Sequence, residues 1–270
     1  MPNVLTDDEV DQFVTDGYLR LRHAFDSVLA AACIDELWTS LDEDPDDAST
    51  WTAPVRRISG SVSPILREAI NTKRLVGAID DLVGVGQWQA RTAGYGTFPI
   101  RFPSVTDPGD TGWHIDGSFG DPPSYRVNFA SKGRALLLLM LFTDVGPDDA
   151  PTRIKVRSHL DVATALATTA PEGAPFDVTL QAPDALRRST IHATGSAGDV
   201  LLCHPFLVHA ATWPHTGATP RFIAQPCIHH PDGEWLGGYD YTDLTTEFAV
   251  KDAVRLALAQ PLADPRIHGK

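Results

Sequence analysis

The chain has 270 residues, 43% of them hydrophobic and 21% charged. That is enough apolar material for a sizeable core and too much for wholesale disorder. Lys plus Arg number 22 against 35 acidic residues, a net charge of −13 that repels phosphate backbones and anionic lipid, so neither nucleic acid nor a membrane surface is the expected partner.

The first residues carry neither a basic n-region nor an apolar h-region, which argues against a secretory signal. The longest apolar run, 135–142, is too short to span a bilayer. Three cysteines, Cys33, Cys203 and Cys227, with no CxxC pair, fit a reducing, cytoplasmic setting.

Thr6 with Glu9 has the form of a capping box and predicts a helix over 7–16, stopped by Gly17. Alternation over 18–25 predicts a strand. Asp26 caps a second helix, whose Leu29, Ala32, Leu37 and Leu41 recur at helical spacing. Residues 42–49 form an acidic loop. Ser63 followed by Pro64 starts a further helix, carrying Leu66, Ile70 and Leu75, with a break or a second piece toward Leu82. Beyond Gly86 the texture changes to short apolar stretches between glycines and prolines. Strands are expected at 87–92, 96–102, 135–143, 152–156, 177–180, 199–209 and 221–228. A last helix is expected over 246–260. With no repeat and no dividing linker, the reading is one α+β domain over 1–270: a helical part to about 86, an antiparallel double-sheet core to about 245 and a C-terminal helix.

Two histidines and a carboxylate with open coordination positions suit a non-haem Fe(II) centre. On an extended segment, residues i and i+2 face the same side, so His-x-Asp can present two ligands to one metal. The pattern occurs three times. His230-Pro-Asp232 holds a proline and leads into Gly233, and reads as a turn. His159-Leu-Asp161 follows Ser158, read as a helix cap, and in a helix i and i+2 diverge. His114-Ile-Asp116 lies between strand-like segments and is the best pair. A third ligand comes from His204 or His209, which are five residues apart and point to opposite faces of a regular strand. His209, at the end of the apolar run, is favoured, and His204 reads as packed core. Arg221 follows a turn-rich connection, and a hairpin there would return it beside His209, where its guanidinium could grip a carboxylate.

Trp113-His114-Ile115-Asp116, then Gly198-Asp199 through His209, then Arg221, resemble the phytanoyl-CoA dioxygenase-like (PhyH) family of Fe(II)/2-oxoglutarate-dependent oxygenases. Residues 13–21 resemble the family's helix-to-strand opening, and 143–160 the strand, acidic loop and strand between the ligand segments. The resemblance covers about 5–260. It implies a double-stranded β-helix (jelly-roll) core with the N-terminal helices on one sheet. It implies Fe(II), 2-oxoglutarate and O2 as cofactor and co-substrates, with His114, Asp116 and His209 as metal ligands. Arg221 is implied as partner of the distal carboxylate of 2-oxoglutarate, with Thr212 and Thr152 as further contacts. The family often has a small hydroxyl residue two positions after the distal histidine, where Ala211 stands here, and an asparagine before the arginine, where Pro214, His215 and Thr216 stand. Asp116 is in place, which disfavours the halogenase variant. Hydroxylation of a small-molecule metabolite or natural-product intermediate is the expected reaction, with Arg101, Trp113, Phe119, Tyr125, Arg126, Arg153 and Trp213 as candidate substrate contacts and the segment 121–132 as a lid. A zinc or manganese hydrolase or isomerase, and a non-catalytic jelly-roll binding protein, are the competing readings.

Overall fold

Thr6 opens the first helix as the capping box requires: its hydroxyl accepts the Glu9 N–H at 3.3 Å and the Glu9 carboxylate accepts the Thr6 N–H at 2.9 Å. In this computed structural model, which describes residues 4–59, 63–90, 96–117, 124–129, 134–169, 172–175, 182–229 and 249–259, that helix is α1 (Asp7–Asp16). Gly17 ends it at φ +82°, and a Cβ there would collide with the His159 ring, so both backbone conformation and space demand glycine. β1 (Tyr18–Leu21) and α2 (Ser27–Trp38) follow, the Asp26 carboxylate accepting the Leu29 N–H at 2.7 Å.

β2 (Val55–Ser59) precedes two short helices, α3 (Pro64–Ile70) and α4 (Lys73–Val83). The remaining elements are β3 (Thr97–Arg101), β4 (Arg126–Val127), β5 (Arg134–Leu141), β6 (Arg153–Lys155), α5 (Ser158–Ala167), β7 (Ala174–Pro175), β8 (Thr190–His192), β9 (Val200–Cys203), β10 (His209–Ala210), β11 (Ile223–Ala224), β12 (Cys227–His229) and α6 (Ala249–Ala259). Every strand pairing described is antiparallel. The main sheet runs β1-β9-β5-β11, with β12 pairing farther along β5; a smaller sheet runs β10-β6-β8; β2 pairs β3 and β4 pairs β7.

The run Ala135–Leu141 is buried throughout, although an antiparallel strand usually wets one face. Its alternate side chains show why. Leu136, Leu138 and Met140 join the cluster built with Leu37, Leu75, Ile79 and Val254 of the helices. Leu137, Leu139 and Leu141 join Ile154, Leu201, Leu207 and Ile223 on the other side, with Ile191 against them. The main sheet is thus sandwiched between helices and the smaller sheet.

Several elements differ from expectation. Leu75 belongs to α4, because the Thr72 hydroxyl caps a new helix there and donates to the Ala24 carbonyl at 2.6 Å. The first strand stops at Leu21, where the chain turns toward the α2 cap. No strand forms over 87–90, although the Gln89 N–H reaches the His229 carbonyl at 2.9 Å. Residues 199–209 are two strands, β9 and β10, broken by a turn closed from the Leu207 N–H to the His204 carbonyl. Likewise 221–228 divides into β11 and β12 around Gln225 and Pro226. Ser158 is the first residue of α5 and not its cap; Arg157 holds that position at φ +68°, and the Ser158 hydroxyl accepts the Val208 N–H instead. The expected strand at 177–180 and the proposed turn at 230–232 lie outside the described residues, as do residues 121–123 and 130–132 of the expected lid.

His159 and His204 tie α1, α5 and α6 together. Both are 1% exposed, their ring centroids lie 5.1 Å apart, His159 Nε2 meets the Val14 carbonyl and His204 Nε2 the Val250 carbonyl. Burial pushes His159 down to about 4, only partly offset by its bond to Val14, and burial and the neighbouring His159 push His204 down as well. Both rings are neutral when folded, while the unfolded chain takes up protons below about pH 6.5, so this stability is complete above that value and is lost as pH falls toward 4. Urea unfolding is expected to show about 2 kcal/mol less stability at pH 5 than at pH 7.5 from His159 alone. His159→Gln should flatten that pH slope; an unchanged slope would remove the histidine from its cause.

Candidate metal centre

His114 and His209, 95 positions apart in sequence, are locked together by their backbones. The His114 N–H donates to the His209 carbonyl at 3.0 Å and the His209 N–H returns the bond at 2.9 Å. β10, which carries His209, is itself anchored opposite Ile154 in β6. Direct pairing brings the two imidazoles to a centroid distance of 4.5 Å. Two residues beyond His114 in an extended stretch, Asp116 returns to the same side, its Oδ1 3.7 Å from His209 Nε2. One ligand atom from each of the three lies within 4.8 Å of the others.

The ring orientations suit a metal. His114 Nδ1 is 2.9 Å from the Gly112 carbonyl and His209 Nδ1 is 3.0 Å from the Leu207 carbonyl. A carbonyl only accepts, so both Nδ1 atoms carry a proton and both Nε2 atoms are the ones that face the other ligand candidates. Such backbone acceptors fix the tautomer and orientation of metal-binding histidines. Burial, reinforced by His114 and opposed by Asp116, holds His209 well below the usual imidazole range, so it is neutral as a ligand must be. Burial acts to raise Asp116, but His209, Arg134 and His114 together hold it below the ordinary carboxylate value; the Arg134 guanidinium lies 3.6 Å away. Two imidazoles and a carboxylate converge as a divalent ion with open positions requires.

Two cavities border His114. The larger, about 580 Å³, also touches Asp116, Tyr125, Arg134, Gln225 and His229. The smaller, about 270 Å³, is bordered by His209, Thr152, Arg101, Asp110 and Arg221. Arg221 does not arrive by a hairpin beside His209. Its backbone pairs with Arg101 at the end of β3, with N–H to carbonyl distances of 3.0 and 2.8 Å, and its side chain then lies in the same cavity as His209. The Arg221 guanidinium is buried and donates to the Ala150 carbonyl. Burial and the nearby Arg101 push it down to about 9, opposed by Asp110 and Asp149, and it remains charged at neutral pH.

The other candidate residues separate. Thr152 and Arg101 border the smaller cavity and Tyr125 the larger. The Thr212 hydroxyl donates to the Pro151 carbonyl at 2.5 Å, and Ala211 is the residue of that segment that borders the smaller cavity. Arg153 is spanned by the carbonyls of Thr111 and Ala211 and lies 4.6 Å over the Trp113 ring, bracing the loop before His114. Arg126 bonds the carbonyls of Glu172 and Gly173 between β4 and β7, and Trp213 is 41% exposed. Phe119 lies outside the described residues. The rejected pair His159 and Asp161 holds no such arrangement: His159 is core, and Asp161 is bound at 2.8 Å by Arg188. Sequence reasoning missed Asp110, Arg134, Gln225 and His229. Only their proximity to the expected ligand segments could have marked them, because their convergence depends on pairings distant in sequence.

The family model for phytanoyl-CoA dioxygenase (PhyH) matches residues 2–223. The chain matches no curated protein by sequence. Among solved structures it is similar in fold to EctD from S. alaskensis with 2-oxoglutarate and 5-hydroxyectoine, at 19% identity and a TM-score of 0.59 over 85% of this chain and 77% of that one. It is also similar to the epimerase SnoN in complex with Fe3+, alpha ketoglutarate and nogalamycin RO, at 15% identity and a TM-score of 0.56 over 83% of each chain. A third similar structure is HygX from Streptomyces hygroscopicus with nickel and 2-oxoglutarate, at 18% identity and a TM-score of 0.55 over 84% and 88%. With the match extending from the first helix through both histidine segments to Ile223, the chain belongs to the phytanoyl-CoA dioxygenase (PhyH) family.

Proposed function

We propose that this protein is a non-haem Fe(II)- and 2-oxoglutarate-dependent dioxygenase that hydroxylates a small molecule, with the whole chain forming one oxygenase domain on a jelly-roll core. The observation that carries the reading is the meeting of His114, Asp116 and His209, with the two histidines bordering a cavity that also holds the buried Arg221. A hydrophobic cluster running from Leu5 to Ala257 supports a single domain, and the two facing antiparallel sheets support the jelly roll.

The two Nε2 atoms and the Asp116 carboxylate would hold the metal on one face and leave the opposite face to co-substrate and O2. Once bound, Fe(II) with 2-oxoglutarate supplies O2 activation coupled to release of CO2 and succinate. The chain's own residues then divide the work. Arg221 anchors the far carboxylate of the co-substrate with a guanidinium that burial leaves short of counter-charge. The Gly112 and Leu207 carbonyls hold the ligand rings in place. Arg134 steadies Asp116 from the larger cavity, where Tyr125, Gln225 and His229 favour a polar substrate. No helix of the described residues is long and apolar enough to cross a membrane, and a reducing, cytoplasmic setting is consistent with the three cysteines.

Protein purified without oxygen and then given Fe(II), 2-oxoglutarate and air is expected to form succinate above background. His114→Ala should abolish it and Arg221→Ala reduce it at least tenfold, as loss of a buried charge-assisted anchor implies. Turnover of a substrate by the zinc form, independent of 2-oxoglutarate and O2, would favour a hydrolase instead. Calorimetric titration with Co(II) should show His209→Ala and Asp116→Ala binding metal more than about 100-fold more weakly than wild type, with unchanged circular dichroism. Wild-type affinity in both variants would exclude the three residues as the ligand set.

A further inference from the structure

The smaller cavity holds more charge than one anchoring arginine. Arg101 and Arg221 are 3% and 2% exposed, and their backbones pair directly. Both Asp110 oxygens lie 2.7 Å from the Arg101 Nη2, and Arg57 adds a second ion pair on the outer side, where its side chain is 48% exposed. The Nε atoms of Arg101 and Arg221 are buried without a hydrogen-bond partner. Asp149 attracts Arg221 more weakly, its carboxylate already accepting the Gly146 N–H. Water screens Arg57, so the interior balance is two guanidiniums against one cavity carboxylate.

We propose that Arg101, Asp110 and Arg221 form one charge-balanced seat for the co-substrate's distal carboxylate. Asp110 neutralises one of the two buried arginines, so that a single carboxylate completes the balance. This rests on the 2-oxoglutarate reading above. Asp110 separates two like charges that would otherwise repel, and it competes with the incoming carboxylate for the same guanidiniums. Arg101 in turn keeps Asp110 away from Arg221. Without Arg101, the Asp110 carboxylate takes Arg221 as its partner and occupies the anion position itself.

The test is calorimetric binding of 2-oxoglutarate to the Mn(II)-loaded protein under argon, which needs no turnover and no substrate. Asp110→Asn is expected to tighten binding about tenfold, because it removes the competing charge. Arg101→Gln should weaken it about 30-fold or more, and the double variant Arg101→Gln/Asp110→Asn should return to within about threefold of wild type, since Arg221 alone then carries one net positive charge. Mn(II) affinity and circular dichroism at the working temperature should hold across the set, while the melting temperature is expected to fall where a buried charge loses its partner, which separates loss of the seat from loss of fold. Weaker binding in Asp110→Asn would mean that Asp110 serves only to position Arg101, and a double variant no better than Arg101→Gln would equally overturn the charge balance. If the variants fail these expectations while wild type binds, the seat is wrong and the oxygenase reading stands. If Mn(II)-loaded wild type takes up no 2-oxoglutarate, both fall.

Discussion

Two backbone hydrogen bonds between His114 and His209 organise the functional end of this molecule. They convert a separation of 95 residues into a ring-to-ring distance of 4.5 Å, and they do so without using either side chain. The imidazole nitrogens are therefore left for other partners. Each Nδ1 is taken by a carbonyl two residues earlier in the chain, which aims each Nε2 at the other two side chains. Asp116 needs no separate device, because extended backbone returns it to the same face after one intervening residue.

That bridge is only as rigid as the strands that carry it. β10 is two residues long and could not stand alone. It pairs with β6, and the smaller sheet lies against the inner face of β5, a strand buried on both sides. The outer face of β5 takes the helices, where Gly17 allows His159 to pack against the chain and His204 to reach α6. Close packing makes these layers transmit small displacements rather than absorb them. Helices remote from the cavities thus help fix the histidine geometry through the main sheet.

The electrostatics run against the overall composition. A chain of net charge −13 is a poor attractor of a dicarboxylate at long range. Close to His114, Asp116 and His209 the sign reverses, with Arg101 and Arg221 buried in one cavity and Arg134 bordering the other. Burial makes each of these charges costly unless it is paired, and the pairs present (Arg101 with Asp110, Arg134 with Asp116) leave Arg221 the least compensated. Uncompensated positive charge is thereby concentrated in the smaller cavity.

The elements set by local chemistry were legible in the sequence. The Thr6–Glu9 capping box, the Asp26 cap, the Ser63–Pro64 start and the apolar run of β5 depend on neighbours within a few residues, and each stands where those neighbours predict. The convergence of His114, Asp116 and His209 was legible too, because a two-residue period and a family-like order of motifs are both written along the chain. Tertiary structure decided what depends on contacts between distant segments. Thr72 reaches the Ala24 carbonyl and splits one expected helix into two. Arg221 meets Arg101 instead of folding back beside His209, because the strand that accepts it is β3 and no local signal names that partner. Asp110, unremarkable in a loop, becomes a counter-charge only once β3 brings Arg101 to it. Sequence fixes which groups can ligate and which segments extend or coil; pairing across the sheets decides which charges share a cavity, because electrostatic coupling depends on distance in space and on burial, and neither is a local property of the chain.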